Sequence, residues 1–166
     1  MIRTLIYLSV SALLACTACN DDDEIDYTAT GRLAGTWWVT YETETSPGVW
    51  EDTGDGHLPL LTYNTSANKA DEMFVDDQGE FWDFKVKSYV TPGSNRFGAD
   101  KEVPNLSYED CDVKITDGQV LSGAGRSKTG IATDSICFYV QFSDDPDNLK
   151  YKVSGHKRTG WDFDDY

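Results

Sequence analysis

The chain has 166 residues, enough for one domain that buries a sizeable core. It carries 14 Lys and Arg against 29 Asp and Glu, a net charge of −15, which excludes nucleic acid and unaided adhesion to anionic lipid as partners. Its two histidines, His57 and His156, lie far apart and form no Cys/His ligand spacing, so neither a metal nor a cofactor is expected.

The first residues, "MIRTLIYLSVSALLACTAC", place one positive charge at Arg3 before an apolar run from Leu5 to Ala15. That run is too short to span a bilayer and has the three-part layout of a secretory signal. A cysteine after small residues at the cleavage point is the acylation signal of a bacterial lipoprotein, which anchors a protein rather than threading it. Cys19, followed at once by "NDDDEID", resembles the surface-export signal of Bacteroidota lipoproteins and is the favoured acylation site, with Cys16 as the alternative. The expected division is a signal over 1–18, an acidic self-repelling tether over 19–31 and a folded domain over 32–166. Loss of the signal removes Arg3 and no acid, leaving 13 basic side chains against 29 acidic ones, a net charge of −16. The expected location is the outer membrane, lipid-anchored and facing the cell surface.

After the tether nearly every segment repeats with period two, as strands do. "TWWVTYETET" puts Trp37, Val39 and Tyr41 on one face and Trp38 on the other, where it would cover a seam near the tether or the aromatic residues 161–166. An apolar run centred on Leu60, Leu61 and Tyr63 follows. Two strands are then expected around a turn at Asp77-Gln78-Gly79, the second presenting Trp82, Phe84 and Val86 on one face. Residues 91–107, with Pro92, Gly93 and Pro104, read as a mobile excursion. Asp117-Gly118 predicts a tight hairpin turn between two strands. "DSICFYVQF" and "LKYKVSGHKRTGW" form a last pair joined through "SDDPDN". About eight short strands and no amphipathic helix predict an all-β domain, a single antiparallel up-and-down barrel ahead of a sandwich.

"GTW" at Gly35–Trp37, opening the first long strand, resembles the glycine-x-tryptophan signature of lipocalins and other calycins. That resemblance implies a tryptophan plugging the closed end of the barrel, with a cation from the last strand over its ring. Arg158 is the expected partner and Lys157 the reserve, so Gly35, Trp37 and Arg158 form a structural signature. "CDVKITDGQVLSGAGRSKTG", "DSICFYVQFSDDPD" and "YKVSGHKRTGW" resemble the C-terminal half of the Bacteroidota lipid-binding putative hydrolase family, small lipocalin-like lipoproteins. The resemblance implies a calycin-like barrel and an apolar ligand.

Tyr41, Tyr63, Trp82, Phe84, Phe138 and Phe142 are expected to face the barrel interior and to line any ligand cavity. A barrel of about eight strands is wide enough either to be filled by such rings or to hold one small ligand. The first functional reading is therefore a binding module for a small hydrophobic or amphipathic molecule. The second is a filled barrel meeting a protein or glycan partner through its loops, with Trp50, Phe97 and Trp161 exposed. Hydrolysis is the third: Ser154, His156, Asp162 and Asp164 offer the residue types, but His156 reads as an outward, solvated side chain, and no catalytic set is assigned. "GAGRSKTG" at 123–130 lacks the spacing of a nucleophile elbow or a phosphate loop and reads as a bulge, or as small side chains that leave space inside the barrel. Asp144, Asp145 and Asp147 form either a calcium loop or an ordinary turn. Cys111 and Cys137 fall on different strand faces, which argues against a disulfide between them.

Overall fold

Alternation along "GTWWVTYETETS" produces strand β1 (Gly35–Ser46), which buries Trp37, Val39 and Tyr41 on its inner face. The computed structural model describes residues 27–166; the expected signal, both candidate acylation cysteines and most of the expected tether lie outside the described residues. β2 (Val49–Asp52) folds back on the far end of β1 as a short ribbon. There follow β3 (Leu58–Asn64), β4 (Glu72–Asp76), β5 (Lys85–Tyr89), β6 (Arg96–Phe97), β7 (Glu102–Pro104), β8 (Asp112–Arg126), β9 (Ala132–Phe142) and β10 (Tyr151–Lys157). Two single-turn 3-10 segments, Gly31–Leu33 and Asp162–Asp164, are the helical elements among the described residues.

Antiparallel pairing runs β5-β4-β3-β1-β10-β9-β8-β6, so the first long strand meets the last and the sheet curls into the expected up-and-down barrel. β6 brings the two edges together. Val90 bridges Phe97, and the Gly98 amide donates to the Tyr89 carbonyl at 2.8 Å. Farther along, the Leu106 amide donates to the Lys85 carbonyl at 2.8 Å, and Lys85 donates its own amide to Asn105 Oδ1 at 3.0 Å. Between these ties β7 pairs only with β8, leaving a seam beside β5. Residues 91–107, expected as a loop, therefore supply the strands that close the barrel. Phe97 is buried against Phe138 rather than exposed.

The end where Trp37 pairs with Lys157 is the floor, and the end where Thr43 pairs with Tyr151 is the mouth. At the floor a Cβ on Gly35 would lie 2.9 Å from the Trp37 indole, so the glycine lets the ring fold flat against its own strand. The Trp37 Nε1–H donates to Thr62 Oγ1 at 2.8 Å, and that hydroxyl donates to the Leu33 carbonyl at 2.6 Å. The cation over the ring is Lys157, with Nζ 5.8 Å from its centroid and donating to the Ala34 carbonyl at 3.1 Å. Arg158 is instead over Trp38, 4.7 Å from that ring. The expected pairing of Arg158 with Trp37 is thus corrected to the reserve, Lys157. Adjacent strand residues face opposite ways, and Lys157 is the one in register with Trp37.

Two further expectations change. Tyr63 is on the outer face, its hydroxyl donating to Asp76 Oδ2 at 2.8 Å, because Leu60 and Thr62 take the buried positions of β3. Asp117-Gly118 makes no hairpin turn; β8 runs on to Arg126, and the pair forms a bulge where the register with β9 shifts. Asp117 takes the left-handed φ of 53° that such a pair favours. A Cβ on Gly118 would sit 2.5 Å from the Phe97 ring, so the glycine admits that ring into the core. The turn between β8 and β9 falls at 127–131.

Trp37 is fully buried and anchors β1, β3 and β10 together. Trp37→Ala is expected to cost about 3–5 kcal/mol, read from chemical denaturation with an unchanged m-value. A shift below about 1 kcal/mol would refute the floor-plug role.

Candidate ligand-binding site

Four of the six expected interior residues, Tyr41, Trp82, Phe84 and Phe142, meet at the mouth. Phe142, at the end of β9, stacks on Trp82 with centroids 4.7 Å apart and planes 5° from parallel, and lies 5.4 Å from Phe84. Phe81, not singled out by sequence, stacks on Tyr41 at 3.8 Å and meets the edge of Tyr151 at 5.2 Å. Phe138 sits deeper, 5.6 Å from Phe97, and Tyr63 is outside. Tyr41, Phe84, Phe138 and Phe142 are each at most 1 % exposed, so these rings fill the barrel in this conformation.

Phe81 and Trp82 belong to a loop over residues 77–84 that covers the mouth, where sequence placed a shorter turn and a longer strand. A single buried carboxylate organises it. Asp77 accepts the amides of Gly79 (3.0 Å), Phe81 (3.3 Å), Trp82 (2.8 Å) and Phe84 (2.8 Å). Gln78 and Asp83 hold left-handed φ values of 57° and 51°, costing on the order of 1 kcal/mol each. An Asp two residues before a Gly is a readable turn signal. That its carboxylate would also hold three amides farther on is a tertiary fact with no sequence mark.

The loop is latched from across the mouth by Asp144, whose carboxylate accepts Trp82 Nε1 at 3.1 Å, Tyr108 Oη at 2.6 Å and the Cys111 thiol at 3.1 Å. Beneath the lid the Tyr41 hydroxyl is buried without a hydrogen-bond partner. Burial, helped by Asp77 nearby, holds its pKa well above the ordinary phenol value, so it remains a neutral donor. An unmet buried donor of this kind costs about 1–3 kcal/mol and is met when a polar group arrives.

The remaining constellations resolve into structural roles. In "SDDPDN" the aspartates diverge: Asp144 holds the lid, while buried Asp145 accepts the amides of Asp147 and Leu149 at 3.0 Å and Tyr151 Oη at 3.1 Å. Among the described residues no three His, Cys, Asp or Glu side chains gather at metal-binding distance. Cys111 and Cys137 are both free thiols, Cys111 at the mouth and Cys137 opposite Ser154 on the outer wall. A cleft of about 350 Å³ opens along the seam, bordered by Tyr89, Val103, Pro104 and Leu106.

His156 faces outward with Arg158, but it is 7 % exposed rather than solvated. A strap of residues 161–166 covers it. Asp164 accepts the Thr129 amide and hydroxyl at 2.9 and 2.6 Å and the Thr159 hydroxyl at 2.7 Å, which holds its pKa far below the carboxylate range. Asp165 accepts Arg158 Nη2 at 2.6 Å and Trp38 Nε1 at 3.0 Å. Asp164 is thus engaged with threonines, and His156 Nε2 has no hydrogen-bond partner, so Ser154, His156 and Asp164 do not form a nucleophile–base–acid relay.

A family model described as "Lipid-binding putative hydrolase" matches residues 22–162. No curated protein matches the chain. Among solved structures, a Bacteroides ovatus structural-genomics protein of unknown function is similar at 13% identity with a TM-score of 0.48. That match covers 76% of this chain and 42% of the other, so the chain spans less than half the length of that protein.

Burial lowers the pKa of both His156 and His57, with each further biased by a neighbouring cation: His57 for His156, Lys128 for His57. Asp164 pulls the first and Asp52 the second the other way without reversing the shift. A lowered histidine pKa means the unfolded chain binds more protons, so stability rises with pH through this window and is lost as pH falls below about 6.5. Acidification to about pH 5 is therefore expected to loosen the strap before Asp164 or Asp165 protonates, seen as lower amide protection, with exchange taken relative to its intrinsic rate at each pH, at Thr129 and Asp164. His156→Gln should flatten that pH dependence; an unchanged profile would remove the histidine from this role.

Proposed function

Since the chain belongs to the lipid-binding putative hydrolase family, we propose that its barrel binds one small amphipathic, lipid-like molecule at the aromatic mouth. The unpartnered Tyr41 hydroxyl under the Phe81–Trp82 lid is the observation that carries this reading. A ligand would enter by swinging residues 77–84 aside. Its apolar part replaces Phe81 and Trp82 against Tyr41, Phe84 and Phe142, and its polar end accepts from Tyr41 Oη. Each 100 Å² of apolar surface buried contributes roughly 2.5 kcal/mol, offset by association entropy and by opening the lid. The lid is built for such a motion: part of it is left-handed, and its catch is one exposed carboxylate, Asp144.

The signal-like start and Cys19 support a lipoprotein anchored in the outer membrane and facing the cell surface. The described chain starts at Tyr27 and enters β1 at the floor, so a tether from Cys19 reaches the barrel opposite its mouth. The mouth then opens away from the bilayer, toward ligands outside. The seam cleft supports a second reading, in which a filled barrel meets its partner along the outer wall beside β5 and β7.

Native mass spectrometry with dodecanoate as probe separates these readings, with a one-to-one adduct expected. Tyr41→Phe should weaken that adduct while stabilising the free protein by about 1 kcal/mol, because it removes an unmet buried donor. Leu106→Asp should leave the adduct intact. An adduct lost on Leu106→Asp and kept in Tyr41→Phe would move the site to the seam. In whole cells, Cys19→Ala should abolish palmitate labelling, and persistence of the label would point to Cys16.

A further inference from the structure

Asp165 and Tyr166 are held on the outer wall at the floor end of β1 and β10 by contacts of the kind that hold a ligand. The Tyr166 ring stacks on His57 with centroids 3.6 Å apart and planes 7° from parallel. It meets Trp38 edge to face at 5.7 Å and lies 6.0 Å from His156, and Lys128 Nζ sits 5.1 Å from its centroid. The Asp165 carboxylate takes a two-point contact from Arg158, at 3.1 Å from Nε and 2.6 Å from Nη2, plus the Trp38 indole N–H at 3.0 Å. Lys128 Nζ donates to the Asp165 carbonyl at 2.7 Å. Beneath these groups His156 is more than nine-tenths buried, and its Nε2 has no partner.

We propose that Trp38, His57, Lys128, His156 and Arg158 form a second binding site, distinct from the mouth, for a small aromatic carboxylic acid, and that Asp165 and Tyr166 occupy it as a built-in stand-in. The chemistry of the cage selects the class. His57 and Trp38 offer one flat face and one edge to a planar ring, with Lys128 adding attraction to the ring's electrons. Arg158 presents the planar fork that matches a carboxylate at two points, and the Trp38 N–H directs a third donor at the same oxygens. The unpartnered His156 nitrogen is a buried polar atom at this site that Tyr166 leaves unmet. Tyr166 is still 48 % exposed, so the stand-in lies at the surface and an incoming ring need not cross the core.

The stand-in competes with any free acid. A tethered group acts at an effective concentration of about millimolar, and a site closed about nine times in ten binds a ligand about tenfold more weakly than an open one. Isothermal titration of 4-hydroxyphenylacetate into the full chain and into the Asp165→Asn/Tyr166→Ala variant tests the idea. The variant is expected to bind at least ~10-fold more tightly, and adding Arg158→Gln should abolish that gain. Equal or weaker binding by the opened variant, or a gain indifferent to Arg158→Gln, overturns the proposal. If the opened variant does not fold, the unaltered chain decides: saturating 4-hydroxyphenylacetate must abolish the nuclear Overhauser contact between Tyr166 and His57, and its persistence overturns the site.

Discussion

The Trp37 indole is constrained from several directions at once: Gly35 lies against one face, Thr62 takes its N–H, Lys157 stands over the ring, and Thr62 carries the hydrogen bond on to Leu33. These contacts belong to the 3-10 turn and to β1, β3 and β10, so fixing one side chain fixes where the first strand sits between its two neighbours. The side-chain period of two then propagates that choice. With Trp37 inside, Tyr41 must be inside and reach the mouth. Trp38 must be outside, where it becomes the wall on which residues 165 and 166 rest.

The two ends of the barrel consequently differ in character. At the floor the Trp37 N–H and the Thr62 hydroxyl are both matched, and Lys157 reaches both the Trp37 ring and the Ala34 carbonyl. At the mouth aromatic rings stack on one another, but Tyr41 lacks a partner and the covering loop holds left-handed Gln78 and Asp83. Stability is not spread evenly over such a molecule: the end whose central indole is fixed by contacts on β1, β3 and β10 is the reference frame, and the left-handed residues of the covering loop lie at the other. A fixed floor beneath a strained cover is a division that the packing itself imposes.

Period two and the turn signals were enough to read the barrel and the opposite faces of Trp37 and Trp38, and the resemblance carried by Gly35 and Trp37 implied the plug with a cation from the last strand. The errors came where a local signal served a tertiary purpose. Asp117-Gly118 has the chemistry of a hairpin turn, yet the same left-handed residue and missing Cβ serve a bulge that makes room for Phe97. Arg158 and Lys157 differ by a single step along the chain, and only the register decides which tryptophan each covers. Tyr63 follows from the same limit, since a run of apolar residues does not reveal its inward parity. The Asp77 loop, the Asp144 catch and the strap over His156 bring together residues far apart in sequence, and no alternation or spacing announces such contacts.

Closure through β10 ties the two extremes of the domain. The bond from Lys157 to Ala34 joins residues 123 positions apart, whereas the other neighbours in the barrel are joined by short connections. On loop-entropy scaling, closing a ring of that length costs about 2 kcal/mol more than closing a ten-residue hairpin. Until β10 docks, β1 and β9 both present open edges, and Trp37 lacks its cation. A nascent chain is therefore a curved, two-edged ribbon until Lys157 has been synthesised. The closed barrel exists only once the last strand has joined the first.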